Sequence, residues 1–133
     1  MSPLFDVSLL AACGWASHAH HARANRWLDQ LRRFHTCPAA QMGFLRVSMS
    51  VAYGASFDRA RTTLDAITSL PAHQFLRDDT MAEHLPSELT SRYDVTDAHL
   101  IILAIRHRLK LATLDDGLCE KPWAKGIAVN PLK

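Results

Sequence analysis

Three aspartates far apart in the chain stand where folding could gather them. Asp6 falls at the end of a short apolar run opened by Leu4 and Phe5, Asp97 follows Thr96 at the head of a strongly apolar segment, and Asp115 follows Leu114. Carboxylates sharing a cavity repel one another and drive their pKa values up unless a cation compensates them. Magnesium and manganese suit that task, because they prefer oxygen ligands, keep several waters and are held by a few carboxylates together with phosphate oxygens. One or two such ions can activate water and stabilise both the attacking and the leaving oxygen of a phosphodiester. Taken singly, the acids have simpler explanations: Asp97 suits a helix N-terminus, and Asp115-Asp116-Gly117 reads as a turn. An aspartate closing an apolar strand is harder to explain that way, since a buried unpaired charge is costly. Together the three favour a metal site with Asp6, Asp97 and Asp115 as ligands of one shared ion.

The elements that would position them follow from periodicity. Residues 4–7 fit a buried strand, with Ser8 as N-cap of a helix over 9–15. Ala24, Trp27, Leu28 and Leu31 recur at helical spacing and predict a helix over 19–33. Residues 34–37 fit a short strand, and Pro38 opens a helix that carries Met42, Leu45 and Val47, with Gln41 in its first turn. A further helix spans 56–70, apolar at Phe57, Ala60, Leu64 and Ile67, and stops at Pro71. Residues 73–76 suggest an edge strand, whereas 80–89 resist assignment. Thr96 is the expected N-cap of a central buried helix over 97–108, and 110–114 and 127–129 complete the strands. Strands alternating with helices imply a parallel sheet covered on both faces, an α/β/α sandwich formed by residues 1–133 as one domain. Ligands of such sheets collect beyond the carboxyl ends of the strands, where strand order reverses. Asp6 and Asp115 fall at such ends.

Composition narrows the classes. Nearly half of the 133 residues are apolar and no run approaches a membrane span, so a soluble globular chain with no membrane segment is expected. Three unspaced cysteines, Cys13, Cys37 and Cys119, point to reduced thiols in a cytoplasm. If three of the thirteen acids are withdrawn into a pocket, the remaining surface sets fifteen Lys and Arg against ten acids, a modest preference for a polyanion. Arg46 and Arg92 are candidates for contacting its phosphates. His18, His20 and His21 cluster, but no ligand three or four positions from His20 completes a zinc set. His99, two residues past Asp97, reads either as a satisfied core histidine or as a contributor to the site.

Five segments in order carry a resemblance: Leu4-Phe5-Asp6-Val7-Ser8; His18 to Arg26-Trp27-Leu28; Thr36-Cys37-Pro38 running into Gly43-Phe44-Leu45-Arg46-Val47; Val95-Thr96-Asp97-Ala98-His99-Leu100; and Leu111-Ala112-Thr113-Leu114-Asp115. Over nearly its whole length the chain resembles PIN-domain ribonucleases, specifically the VapC-like toxins of bacterial toxin–antitoxin pairs. The resemblance implies a PIN-like α/β/α fold with a short parallel sheet and magnesium- or manganese-dependent cleavage of RNA. It also implies a cognate antitoxin protein and a homodimer. Asp6, Asp97 and Asp115 match the family's metal-binding acids, and Thr113 the position of a supporting hydroxyl, with Asp116 as a neighbouring candidate. Two positions depart. Gln41 stands where the family places a fourth acid, which implies weaker metal binding or one ion instead of two, because an amide oxygen carries no charge. Ser8 stands where many relatives have asparagine. Two other functions compete: a phosphate-signalling receiver, which lacks its phospho-acceptor and lysine here, and a catalytically weakened relative acting through protein binding.

Overall fold

The computed structural model describes residues 1–133. Five strands form one wholly parallel sheet: β1 (Leu4–Phe5), β2 (Phe34–Thr36), β3 (His73–Phe75), β4 (Leu111–Ala112) and β5 (Ala128–Val129), in the order β3-β2-β1-β4-β5. The helices are α1 (Val7–Gly14), α2 (His21–Leu28), α3 (Pro38–Ser48), α4 (Phe57–Thr68), α5 (Val95–Arg106) and α6 (Asp116–Glu120). From β1 the chain steps outward to β2 and β3, then returns past β1 to β4 and β5. Right-handed crossovers place α1 to α4 over one face and α5 and α6 over the other. This is the expected three-layer sandwich.

The strands are two or three residues long, which leaves little backbone pairing. Packing must supply the cohesion, and Phe5 is its centre: its ring lies 4.8 Å from that of Phe34 and 5.3 Å from that of Trp27. Trp15 anchors α1 against α3, donating from Nε1 to Ser48 Oγ at 2.8 Å while stacking on Phe44. Gly43 lets α3 lie against the start of α1, since a Cβ there would meet Val7 Cγ2 at 2.4 Å. No helix is long and apolar enough to cross a membrane, and all three cysteines are free.

Several boundaries differ from expectation for identifiable reasons. Asp6, not Ser8, caps α1. The helix expected over 19–33 is only His21–Leu28, because residues 29–31 turn toward β2. In α3 the buried positions are Ala40, Phe44 and Ser48, and Met42 is exposed. Phe57 is likewise exposed at the start of α4, although Ala60, Leu64 and Ile67 are buried as expected. Arg92–Asp94 forms a single 3-10 turn that runs into α5, so that helix begins at Val95 and Thr96 is not its cap. It covers one face of the sheet, leaving Val95 and Ile105 in solvent, and is not the central buried helix its composition suggested. Asp115-Asp116-Gly117 is a helix start, not a strand-joining turn.

Candidate active site

Strand order reverses between β1 and β4, and Asp6 and Asp115 follow those two strands on the same sheet end. Each aspartate is the N-cap of the next helix. Asp6 Oδ1 accepts from the Leu9 amide at 3.0 Å, and Asp115 Oδ1 from the Leu118 amide at 3.1 Å. Capping explains why the chain can turn from a buried strand into a helix at these points, and it fixes one oxygen of each carboxylate. Asp97, in the first turn of α5, approaches from the opposite layer.

Ser8 ties the two strand ends together. Its hydroxyl donates to Asp6 Oδ1 at 2.6 Å and accepts from the Leu114 amide at 3.0 Å. Thr113, fully buried, accepts from the Asp115 amide at 3.0 Å and lies 3.5 Å from Ser8 Oγ. Thr113 thus lies within hydrogen-bond reach of Ser8, and Ser8 bonds Asp6 directly.

The electrostatics are unbalanced. Burial drives the Asp6 carboxyl above the ordinary carboxylate range; the hydroxyls of Ser8 and Thr113 and the Leu9 amide pull it down, and Asp115 adds an upward push. Asp97 is pushed up to about 6, by burial first, then by Asp6, Asp115 and Asp94, with Lys121 pulling the other way. The three acids thus sense one another. Lys121 does not neutralise them, because its Nζ is 3.5 Å from Asp94 and Asp97 remains raised. Asp94 and Lys121 escaped the sequence reading; the spacing of Asp94 three residues before Asp97 was the available signal.

Other expected residues lie elsewhere. Gln41 donates through Nε2 to Thr36 Oγ1 at 3.0 Å, at the carboxyl end of β2. Asp116 accepts from Asn130 and pairs with Lys133. His99 Nε2 lies 2.7 Å from Asp78 Oδ2 without hydrogen-bond alignment, so the acid beside it is not a site acid. Arg92 is folded over its neighbour Tyr93, 4.8 Å from the ring. Arg46 sits in the last turn of α3, carried away from the acid end because the helix runs back along the sheet. His18, His20 and His21 form no ligand cluster. Beside the acid end a cavity of about 180 Å³ is lined by His20, Arg23, Leu114, Asp116, Asn130, Leu132 and Lys133.

The donor chemistry can be tested against a divalent cation. No three His, Cys, Asp or Glu side chains form a ready-made ligand shell, so the shared ligand set expected of Asp6, Asp97 and Asp115 is not closed. What is present is a set of oxygen donors carrying uncompensated negative charge. That combination fits a hydrated magnesium or manganese ion, which needs only one or two direct carboxylates, and does not fit a dehydrated zinc site.

Comparison with known proteins identifies the family. The PIN domain family model matches residues 4–124. Ribonuclease VapC38 of Mycobacterium tuberculosis is 37% identical over 121 residues, covering 86% of each chain. Ribonuclease VapC39 of the same species is 36% identical over 140 residues, covering 93% of this chain and 96% of that one. Among solved structures, Mycobacterium tuberculosis VapC20, described as a sarcin-ricin loop cleaving toxin, superposes with a TM-score of 0.64 at 15% identity, covering 86% of this chain and 90% of that one. VapBC2 from Rickettsia felis, bound to a DNA fragment from its promoter, gives 0.66 at 13% identity over 98% of both chains.

Proposed function

Because this chain belongs to the PIN domain family, we propose that it is a magnesium- or manganese-dependent endoribonuclease, the toxin of a toxin–antitoxin pair. The observation that carries the proposal is the mutual electrostatic pressure of Asp6, Asp97 and Asp115 where strand order reverses. Structural carboxylates are normally paired with cations; here acids face acids, a pattern that marks functional sites.

In this reading the three aspartates hold the ion, which would supply an activated water and neutralise charge on the phosphodiester. The hydroxyls of Ser8 and Thr113 favour the Asp6 carboxylate and offset part of the cost of its burial. The caps hold the Oδ1 atoms of Asp6 and Asp115 in place, so orientation is fixed before any ligand arrives. Arg23 and Lys133, in the adjoining cavity, give the RNA backbone a positive wall. All 133 residues act as one unit. An antitoxin covering the acid end and a homodimer in the cytoplasm complete the proposal, and light scattering of the isolated chain tests the dimer.

Purified protein incubated with total RNA and magnesium or manganese should cut it, and chelation or Asp6→Asn should stop the cleavage. Wild-type protein that binds an antitoxin but never cuts RNA would instead identify a protein-binding relative.

A further inference from the structure

We propose that the cavity beside the acid end is a phosphate subsite, in which Arg23 and Lys133 grip a phosphodiester neighbouring the one that is cut. The identity of the ligand rests on the nuclease reading, and the place of the subsite on direct contacts. Leu114 and Asp116 both line the cavity, and they are the chain neighbours of Asp115. From the same wall the Leu114 amide donates to Ser8 Oγ, and Ser8 donates to Asp6 Oδ1. The cavity wall is therefore one residue from Asp115 and two hydrogen bonds from Asp6.

A long surface cation loses side-chain entropy when it is fixed on a ligand. Here part of that ordering is built into the fold. The segment after β5 is anchored by Leu132, which packs against the core. Asn130 ties that segment to α6: its Oδ1 accepts from the Leu132 amide at 3.0 Å, and its Nδ2 donates to Asp116 Oδ1 at 3.0 Å. Arg23, in the first turn of α2, donates to the Leu132 carbonyl, and Lys133 Nζ lies 3.1 Å from Asp116 Oδ2. Cations from separate parts of the chain are thus held against one space of about 180 Å³, far above the roughly 15 Å³ that a single water needs.

The Leu132 carbonyl takes one of the guanidinium's N–H donors and Asp116 one of the ammonium's, and each cation has more to give. Those donors match the acceptor oxygens of a phosphodiester, which a guanidinium can take as a fork. A contact of this kind reads backbone and not sequence, and it sets the register of the strand on the acids. Asp116 and Asn130 act by holding Lys133 and the segment that carries it, and are positioning residues. Neither Arg46 nor Arg92 lines this cavity.

Binding and cleavage are read separately on the full chain. Fluorescence anisotropy of a single-stranded RNA oligonucleotide in EDTA measures the subsite without cutting. Arg23→Gln should weaken binding about tenfold and lower the slope of log K against log salt by about 0.7, the share of one phosphate on a single strand. Arg61→Gln removes the same charge from α4, where Arg61 lies over Phe57, and should do neither. Equal losses from the two variants, or a wild type that does not bind the RNA, overturn the subsite. Arg23→Lys keeps the charge and a donor for Leu132, and should restore the slope with part of the affinity. If it restores neither, the loss came from a loosened segment and the proposal fails. Asp116→Asn keeps an acceptor for Asn130, and Asp116→Ala, which does not, should bind RNA about threefold more weakly than Asp116→Asn. Equal binding by these two overturns positioning by Asp116. With Mn²⁺ present, Arg23→Gln should raise KM and leave kcat and the calorimetric Mn²⁺ affinity as in the wild type; a loss confined to kcat overturns the assignment. Wild type that binds RNA but never cuts it defeats the nuclease reading, and the EDTA measurements still decide the subsite.

Discussion

Carboxylates at two places in this molecule meet opposite surroundings. Around the β1–β4 junction, burial and like charge among Asp6, Asp97 and Asp115 raise the first two above the ordinary range. Along the segment before α5, Asp79 meets Arg106 and His107 at 3.3 Å, and those partners hold its carboxyl below that range. Asp78 approaches His99 in the same region. The second arrangement is self-sufficient at Asp79, which has the Arg106 guanidinium beside it and calls for no ligand. The first holds acids whose like charge is not fully compensated within the chain, in a frame of helix caps and hydroxyls.

The contrast is broken most forcefully at Asp6. Asp6→Asn preserves an oxygen for the Leu9 amide, so the helix cap survives, and it removes a buried charge. RNA cleavage should fall by at least about a hundredfold, since a bound cation contributes several kcal/mol to transition-state stabilisation. Thermal stability should hold or rise. A variant that loses its fold, or keeps its activity, would mean that Asp6 is a structural acid like Asp79.

Gly43→Ala probes how tightly the framework around that acid is set. Alanine improves intrinsic helix propensity by about 1 kcal/mol, but its methyl group would collide with the stiff Val7 side chain next to Asp6. Overpacking of this kind costs about 1–3 kcal/mol and should win, lowering the melting temperature. Val7→Ala in the same chain should recover most of the loss. Unchanged stability would show that α3 is free to shift.

The elements on one side of this contrast were legible in the sequence, and the missing part has a common cause. The strands around Asp6 and Asp115 were visible as apolar runs, and α4 as a helical stripe, because these signals are local. Caps were less so: Asp6 and Ser8 are both good capping residues two positions apart, and the choice depends on Ser8 bonding Leu114, 106 positions away. Asp115-Asp116-Gly117 has the composition of a turn, yet the same residues begin a helix when Asp115 accepts from Leu118. The network around Gln41 lay beyond reach for the same reason, since Thr36, which accepts from it, bonds His73 37 positions away, adjacent only through strand pairing. Arg46 was read as an RNA contact from its type alone, without the helix direction that removes it from the acid end.

Asp97 makes the contrast measurable as a pH dependence. Its carboxyl titrates near 3.8 when unfolded and near 6 in the folded chain. Between these values the unfolded chain has released a proton that the native state retains, so stability falls as pH rises through that window. The penalty is absent below the lower value and complete above the upper one. Melting curves without divalent cations should show this decline, and Asp97→Asn should flatten it. Manganese should raise the melting temperature most above pH 6, where the acids are charged and the ion binds only the native state. A slope of the opposite sign would mean that Asp97 is already compensated.

The smallest effect is expected at the satisfied end. Asp79 has the opposite linkage: its lowered pKa stabilises the native state at neutral pH, and that contribution disappears as pH falls below the usual carboxylate value. The group is exposed, however, and its partners sit in water, where side-chain entropy and salt screening remove most of the attraction. Asp79→Asn should therefore leave both the melting temperature and RNA cleavage unchanged within error at physiological salt. A marked loss of stability would show that Arg106 and His107 need this acid to keep the preceding segment against α5. The two ends of the molecule would then differ in the sign of their charge environment but not in how much the fold depends on it.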